Sequence, residues 1–130
     1  MGEKEFGYEF DPLNHAVIGA AIDVHRELGV GYLKTVYHEA LCIELNERKI
    51  AFEKEYPIGV SYKGRIVGEG RVGIFVEKRL VVELKAVEAI LPIHTAQVLS
   101  YLKATRCKYG LLINFTVPVL KQGIRRIVLS

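Results

Sequence analysis

The spacing of apolar residues predicts two helices at the start of the chain. Apolar side chains recur at helical intervals from Val17 to Leu28, behind a helix start at Asp11-Pro12 and ahead of Gly29. The next segment, "GVGYLKTVYHEALCIELNERKI", has one apolar stripe with charged residues on the opposite face. That stripe consists of Val36, Tyr37, Ala40, Leu41 and Leu45. The first third of the chain is therefore predicted to be helical.

Beyond residue 51 apolar residues alternate with smaller or polar ones, which is typical of β-strands. Strands are predicted near residues 52–61, 65–76 and 80–86, with a hairpin turn in "YKGR" between the first two. Pro92 opens a short helix to about residue 104, and "YGLLINF" and "IRRIVL" supply two more strands around a loop. The predicted order is ααβββαββ, which indicates an α/β fold.

Length and composition indicate one domain over residues 1–130. Half of the 130 residues are hydrophobic and a quarter are charged, which fits one compact domain with its own core. The first ten residues have no clear pattern and are expected to form a loosely held arm. Their aromatic residues, Phe6, Tyr8 and Phe10, either pack on a partner or belong to that disordered arm.

Cysteine usage and hydropathy predict a cytoplasmic protein. Cys42 and Cys107 lie far apart without C-x-x-C spacing, so neither a disulfide framework nor a zinc site is indicated. No apolar run approaches the roughly 18 residues of a membrane span, and the acidic, polar start does not resemble a signal peptide. We therefore expect no membrane association.

Positive charge is concentrated late in the chain. The formal net charge of +3 is too small to establish nucleic-acid binding by itself. Solvated surface and a binding patch for DNA or RNA explain these cations equally well. The candidate nucleic-acid-binding residues are Lys103, Arg106 and Lys108, and a second group contains Lys121, Arg125 and Arg126.

The segment "RVGIFVEKRLVVELKAV" places two charges inside an apolar strand. Side chains alternate along a strand, so Glu83 and Lys85 point to the same side, together with Val81. A strand buried on both faces carries charge only where a partner compensates it. Glu83 and Lys85 are thus the first candidates for chemistry.

Pairing across the preceding turn identifies the neighbour of Glu83. If residues 77–79 form a three-residue turn, antiparallel pairing sets Phe75 against Val81. The same register sets Gly73 against Glu83. The hairpin therefore carries E-x-K on its second strand and a glycine on its first.

A strand hairpin with an acid on the first strand and E-x-K on the second resembles the metal site of the PD-(D/E)XK nucleases. The chain is similar to the small GxxExxY branch of that superfamily through "AAIDVHRELGVGYLKTVY", "LCIELNERKI", "VVELKAV", "HTAQVLSYL" and "YGLLINF". The resemblance implies a central mixed sheet flanked by helices, and a protein that cuts or binds nucleic acid. It also implies Mg²⁺ or Mn²⁺ held by carboxylates, with the lysine activating water.

The resemblance implies further site residues. Gln97 and Tyr101 match a Q-x-x-x-Y element, and they either hold a phosphate or buttress the sheet edge. His25 matches a "VH" of the family, and it either reaches the pocket or is a hydrogen-bonded residue at a helix end.

Two positions depart from the family pattern. Lys34 stands where G-x-x-E-x-x-Y has glutamate, and Gly73 stands where an aspartate is expected. Lys34, Gly73, Glu83 and Lys85 together carry a charge of +1, whereas magnesium sites depend on several carboxylates. No metal cofactor is therefore expected, and Glu83 would be its ligand if one bound. We expect Lys34 to pair with Glu83 instead; alternatively Lys34 points to solvent and Glu83 pairs with Lys85 or water.

Three functional hypotheses remain open at this point. The first is a nuclease-fold protein that has lost hydrolysis and keeps a binding role on DNA or RNA, or a scaffold role. The second is an active Mg²⁺- or Mn²⁺-dependent nuclease with an unconventional ligand set. The third is an altered, stabilised version of a family member, in which the changes at positions 34 and 73 favour stability over function. A homo-oligomer is compatible with each.

Overall fold

The structure is a computed structural model, and it describes residues 11–130. The elements follow the predicted order ααβββαββ, with a short 3-10 helix inside the last loop. Residues 1–10, including the aromatic residues considered above, lie outside the described part. The elements are α1 (Pro12–Leu28), α2 (Lys34–Glu47), β1 (Phe52–Tyr62), β2 (Arg65–Val76), β3 (Leu80–Lys85), α3 (Pro92–Thr105), β4 (Tyr109–Asn114), the 3-10 helix (Leu120–Gly123) and β5 (Ile124–Val128).

Within residues 11–130, the strands form one mixed sheet in the order β1-β2-β3-β4-β5. All neighbouring strands are antiparallel except β3 and β4, which are parallel and connected through α3. Residues 80–84 of β3 are buried, which explains the apolar run around Glu83. The predicted α/β fold with a central mixed sheet is confirmed.

Helix α1 begins and ends where its sequence signals predict. The Asp11 side chain accepts a hydrogen bond from the Leu13 amide at 3.0 Å, and Pro12 occupies the first turn. Gly29 ends the helix with a positive φ of 72°. Among the described helices, none combines the length and the apolar composition that crossing a bilayer requires.

Helix α2 is rotated relative to the predicted apolar stripe. The prediction placed Val36 inside, but this residue is 38% exposed, whereas His38 and Cys42 are buried. Tyr37 and Leu41 belong to both the predicted and the observed stripe. The prediction for Val36 was wrong because the helix packs with the neighbouring row of residues against the sheet.

The helices cover both faces of the sheet. Helices α1 and α2 pack on one face, against a core that includes Ile74, Val82 and Leu111. Helix α3 packs on the other face through Val98 and Leu102, both fully buried, against residues that include Phe75, Val81 and Leu112. Since Glu83 and Lys85 alternate with Val82 and Leu84, their side chains belong to the α3 face.

The chain leaving β3 is tied to the end of β4. The Asn114 side-chain oxygen accepts from the amides of Val87 and Thr116, and its amide group donates to the Val87 carbonyl. The Phe115 amide donates to the Lys85 carbonyl at 2.9 Å. These bonds hold the carboxyl end of β3, where the charged residues lie.

Candidate active site

Strand β3 carries a buried carboxylate into the centre of the sheet. Glu83 is 6% exposed. The register pairs Phe75 with Val81, so Gly73 lies opposite Glu83, and the Gly73 amide donates to Glu83 Oε1 at 3.4 Å. The hairpin pairing expected from the sequence is present, and the position beside the carboxylate has no side chain.

Lys85 is held by the helix that covers it. Its Nζ donates to Gln97 Oε1 at 3.2 Å, and Gln97 Nε2 donates to the Tyr101 hydroxyl at 3.1 Å. Burial raises the pKa of Tyr101, and the charge of Glu83 raises it further. The structure thus brings Lys85, Gln97 and Tyr101 into one hydrogen-bonded chain beside Glu83.

Lys34 does not neutralise Glu83 by direct contact. It is the first residue of α2 and is exposed. Among residues 11–130, no ion pair within 4.0 Å joins Glu83 to Lys34 or to Lys85. The expected direct pairing with Lys34 was therefore wrong. An ammonium at a surface helix start keeps its hydration, which a buried pair would forfeit.

The pKa of Glu83 is raised, because nearby positive charge does not fully compensate the burial of its carboxylate. Burial raises the pKa of Glu83, and it outweighs the opposing effects of the Gly73 amide, Lys85 and Lys34. The charge of Glu55 raises the pKa further. Glu83 is thus a carboxyl group whose neutral form is favoured by its surroundings.

The sequence pattern did not identify Glu55 as a residue of the site. Glu55 lies on β1 between the pairs Lys54–Ile74 and Tyr56–Val72, at the level of Gly73, and has a positive φ of 51°. Counting back from the predicted hairpin turn would have set it opposite Val72, but a register shift between residues 60 and 61 moves it by one position. Because nothing in the sequence marks this shift, no sequence signal places Glu55 beside the site.

His38 was also missed, although a signal was available. Its Nε2 donates to the Gly73 carbonyl at 3.1 Å and lies 3.7 Å from the carboxylate of Glu55. His38 follows Lys34 by one helical turn, so both residues lie on the same side of α2. This i, i+4 relationship would have directed attention to His38.

The start of α2 is held by a local network that involves Gly31 and Tyr37. Gly31 has a φ of 111°, which side chains rarely adopt. The Tyr37 hydroxyl donates to the Gly29 carbonyl at 2.6 Å and accepts from the Tyr32 amide at 3.3 Å. The Tyr37 ring is buried and stacks on Phe115 at 4.5 Å. Gly31 and Tyr37 therefore position Lys34, which lies midway between them in the chain, at the edge of the site.

The structure separates the three candidate nucleic-acid-binding cations. Lys103 lines a groove with Gly59, Val60 and Ser61 of β1. Arg106 and Lys108 flank a cysteine whose Sγ donates to the Lys78 carbonyl, before the start of β3. Glu83 and Lys85 lie toward the opposite end of that strand, so Arg106 and Lys108 belong to another part of the surface.

His25 lies outside the site. Its Nε2 donates to the Val117 carbonyl at 2.8 Å, and its ring is buried near Phe115. His25 is thus a hydrogen-bonded residue at a helix end, the second of the two interpretations allowed by the sequence.

The donor groups at this site do not fit a divalent cation. Glu83 supplies one carboxylate whose pKa is raised, and a ligand must lose its proton to bind a metal. Gly73 supplies no side chain, Glu55 adds a second carboxylate at the level of Gly73, and the positive charges of Lys34 and Lys85 offset the two carboxylates. Across residues 11–130, no group of three or more His, Cys, Asp or Glu residues is placed to hold a metal ion.

Replacing Glu83 by Gln is expected to stabilise the protein at neutral pH. Because the folded-state pKa is raised, the folded protein binds the proton more tightly, and its stability falls as the pH rises through that pKa. Glu83→Gln should add about 1–3 kcal/mol to the free energy of unfolding at pH 7.5, the usual cost of a poorly paired buried polar group. The gain should vanish toward pH 4.5, the ordinary pKa of the group. Urea unfolding between pH 4.5 and 8 measures the gain at pH 7.5 and its loss toward pH 4.5.

The matched control is Glu39→Gln. A hydrogen bond from Lys54 lowers the pKa of the exposed Glu39 carboxylate, so this substitution should not stabilise the protein at neutral pH. A Glu83→Gln protein that is less stable than the wild type at pH 7.5 would show that the Glu83 carboxylate is compensated.

A family model described as the PD-(D/E)XK nuclease superfamily matches residues 11–127, from the start of α1 into β5. Neither a search of curated proteins nor a search of solved structures gave a match. The matched region contains the mixed sheet and the E-x-K strand described above. The chain belongs to the PD-(D/E)XK nuclease superfamily.

Proposed function

We propose that this protein binds the phosphate backbone of nucleic acid without hydrolysing it. One observation carries the proposal: the buried Glu83 faces Gly73 instead of a second acid, and the nearby charged side chains include the amines of Lys34 and Lys85. Glu55 lies at the level of Gly73, so the charges of Glu55 and Glu83 are balanced by those of Lys34 and Lys85, and the site lacks the net negative charge that holds a divalent cation. The two amines remain to contact a phosphate.

The loss of hydrolysis follows from the donor set. Metal-dependent phosphodiester hydrolysis needs a cation to activate water and to stabilise charge on the phosphate. Glu83 alone is a weak ligand, and its raised pKa weakens it further. Lys85 remains in place but lacks the cation beside which it would act.

The amines that remain suit a phosphate. Lys34 is the first residue of α2, where no side chain caps the helix and the helix dipole also attracts anions. Lys85 lies on the same site, held by Gln97. A positive residue at a helix start is unfavourable for the helix itself, so Lys34 is better explained by what it binds than by helix stability.

The finer family assignment is also part of this proposal. We infer that the chain belongs to the GxxExxY branch, with Lys34 in place of its glutamate. The conformation of Gly31 and the hydrogen bonds of Tyr37 support this assignment, because they give physical roles to two of the three motif positions.

Binding without cutting is the expected result with DNA and RNA, single- and double-stranded, in Mg²⁺ or Mn²⁺. Replacing Lys34 and Lys85 by Gln should weaken binding about tenfold at moderate salt. It should also reduce the slope of log affinity against log salt by about 1–2, since each phosphate contact contributes about 0.7–0.9. Fluorescence anisotropy over a salt series measures both quantities.

Two outcomes would reject this function. Metal-dependent cleavage that is lost in Lys85→Ala would make the protein an active nuclease with an unconventional ligand set. Absence of binding even at low salt would leave only a scaffold role. Lys49→Gln with Arg26→Gln is the matched control, because it removes the same charge from two exposed positions on other elements.

A further inference from the structure

The hairpin of β1 and β2 extends beyond the rest of the sheet. The two strands pair from Phe52–Val76 to Tyr62–Arg65, whereas β3 pairs with β2 only at residues 74–76. Residues 57–71 are here called the ribbon. Within it, the β1 segment and the β2 segment are strand partners of each other. An isolated two-stranded ribbon is marginally stable in water, so an extended one suggests a binding partner.

The outer part of the ribbon exposes large apolar side chains. Ile58 is nearly buried and packs in the core beneath α3, but Tyr62, Ile66 and Val67 are each 63–66% exposed. Ile66 lies over Gly59, because a Cβ added to that glycine would be 3.1 Å from the Ile66 side chain. Tyr62 pairs with Arg65 and Ile66 pairs with Ser61, so these two side chains project from opposite faces, and both faces of the outer ribbon expose apolar surface.

The charges around these residues are mainly positive. The tip is a tight turn in which Lys63 and Gly64 both have positive φ, and the Lys63 ammonium lies over the Tyr62 ring at 5.5 Å. Three cations, Lys63, Arg65 and Arg71, and one acid, Glu69, give the ribbon a net charge of +2. Lys103 of α3 adds a further cation beside residues 59–61.

The β1 edge of the ribbon is poorly suited to pairing with a second copy. Pro57 lacks an amide hydrogen, and Glu55, two residues before it, has a positive φ that interrupts the ladder. Pairing of two tips would also bring like charges together. Cations mixed with an aromatic and apolar residues instead suit a polyanion with flat base edges.

We propose that the ribbon inserts into the major groove of duplex DNA, with Lys63 and Arg65 on the flanking phosphates. This rests on the proposed nucleic-acid-binding function. Two strands about 4.8 Å apart fit a groove about 12 Å wide, whereas the major groove of duplex RNA is too narrow. From Arg65 to Gly73 the strand spans roughly 27 Å, so the ribbon and the Glu83 site reach positions within about one turn of DNA.

The test compares binding of duplex DNA, single-stranded DNA of the same sequence and duplex RNA by fluorescence anisotropy. Lys63→Gln with Arg65→Gln should weaken duplex DNA binding at least about tenfold and reduce its salt slope by about 2. Ile66→Thr with Val67→Thr should weaken duplex DNA binding several-fold at an unchanged salt slope. The pair Lys49→Gln and Arg26→Gln, with the same loss of charge, should change the affinity less than about twofold.

The outcomes separate this proposal from the function on which it rests. Wild-type binding that the ribbon substitutions leave unchanged, or weaken equally for all three nucleic acids, rejects groove insertion alone. A wild-type dimer that Ile66→Thr with Val67→Thr dissociates in sedimentation velocity would assign the ribbon to self-association and also reject it. No binding by the wild type rejects both. Unchanged unfolding temperatures show that the variants remain folded.

Discussion

Replacing Lys34 by Glu and Gly73 by Asp is expected to produce a protein that binds Mn²⁺ and cuts nucleic acid in its presence. The two changes convert the charge of the four-residue site from +1 to −2. Divalent cations are held by such oxygen donors, and one that binds only the folded state stabilises it. A ligand at one hundred times its Kd adds about 2.7 kcal/mol, so saturating Mn²⁺ should raise Tm by about 5–10 °C.

The geometry allows both substitutions. A Cβ at Gly73 would lie 3.3 Å from Glu83 Oε1, at the end of a flexible side chain that moves to make room, and no positive φ strains the position. The next nearest groups are the Val82 carbonyl at 3.7 Å and His38 Nε2 at 3.9 Å. The change Lys34→Glu would also favour the start of α2, whose first turn has no acidic residue. Without metal the new carboxylates should repel one another and lower stability.

The control for this experiment is Lys34→Gln with Gly73→Asn, which keeps the shapes and supplies no negative charge. It should show neither Mn²⁺-dependent stabilisation nor cleavage. Adding Lys85→Ala to the acidic double variant should remove cleavage but retain Mn²⁺ binding in calorimetry. A folded acidic variant without Mn²⁺ binding would make the site assignment wrong.

Gly123→Ala is expected to cause a large loss of stability. A Cβ at this position would lie 2.2 Å from the carbonyl oxygen of Asn114, a backbone atom that cannot turn away. Relieving this clash requires β4 and the 3-10 helix to separate, which disturbs the Asn114 side chain and its hydrogen bonds to Val87. The expected cost is about 3 kcal/mol or more, with a fall in Tm of roughly 10 °C. Urea and thermal unfolding measure this loss.

Gly68→Ala is the matched control for Gly123→Ala. A Cβ at Gly68 would meet the Val60 side chain at 3.9 Å, an ordinary contact, and Gly68 has no positive φ. This substitution should change the free energy of unfolding by less than about 1 kcal/mol. Equal losses in the two variants would mean that the close approach of Gly123 to Asn114 is not what requires glycine there.

Local signals were sufficient for most of the fold. The helix start at Asp11, the end at Gly29 and the three-residue turn at residues 77–79 depend on neighbours in the chain. The turn sets the pairing of Gly73 with Glu83, because register in a hairpin follows from its loop length. This explains why the position of Gly73 beside Glu83 was predictable.

Helix α2 shows where a local pattern is ambiguous. Tyr37 and Leu41 fit a stripe with Val36 on one side or with His38 on the other. The packing of α2 against the sheet selected His38, and spacing alone does not distinguish two overlapping stripes. The same packing of α2 against the sheet places His38 next to Gly73.

Glu55 illustrates a different limit. An unbroken ladder counted from the tip of the hairpin misplaces it by one residue, because the register shifts between Val60 and Ser61. An error of one position reverses the face of every later side chain. The shift occurs within a stretch of alternating residues that does not mark its position.

The sequence alone determined the order of the elements, the E-x-K strand in the central sheet and the glycine opposite Glu83, because these depend on local periodicity, turn length and residue identity. Only the tertiary structure decided that Lys34 stays in solvent while Glu83 is buried without a direct cationic partner. Whether a long side chain reaches a buried group depends on how distant elements pack and on the cost of removing both charges from water. Neither quantity is contained in the spacing of residues along the chain.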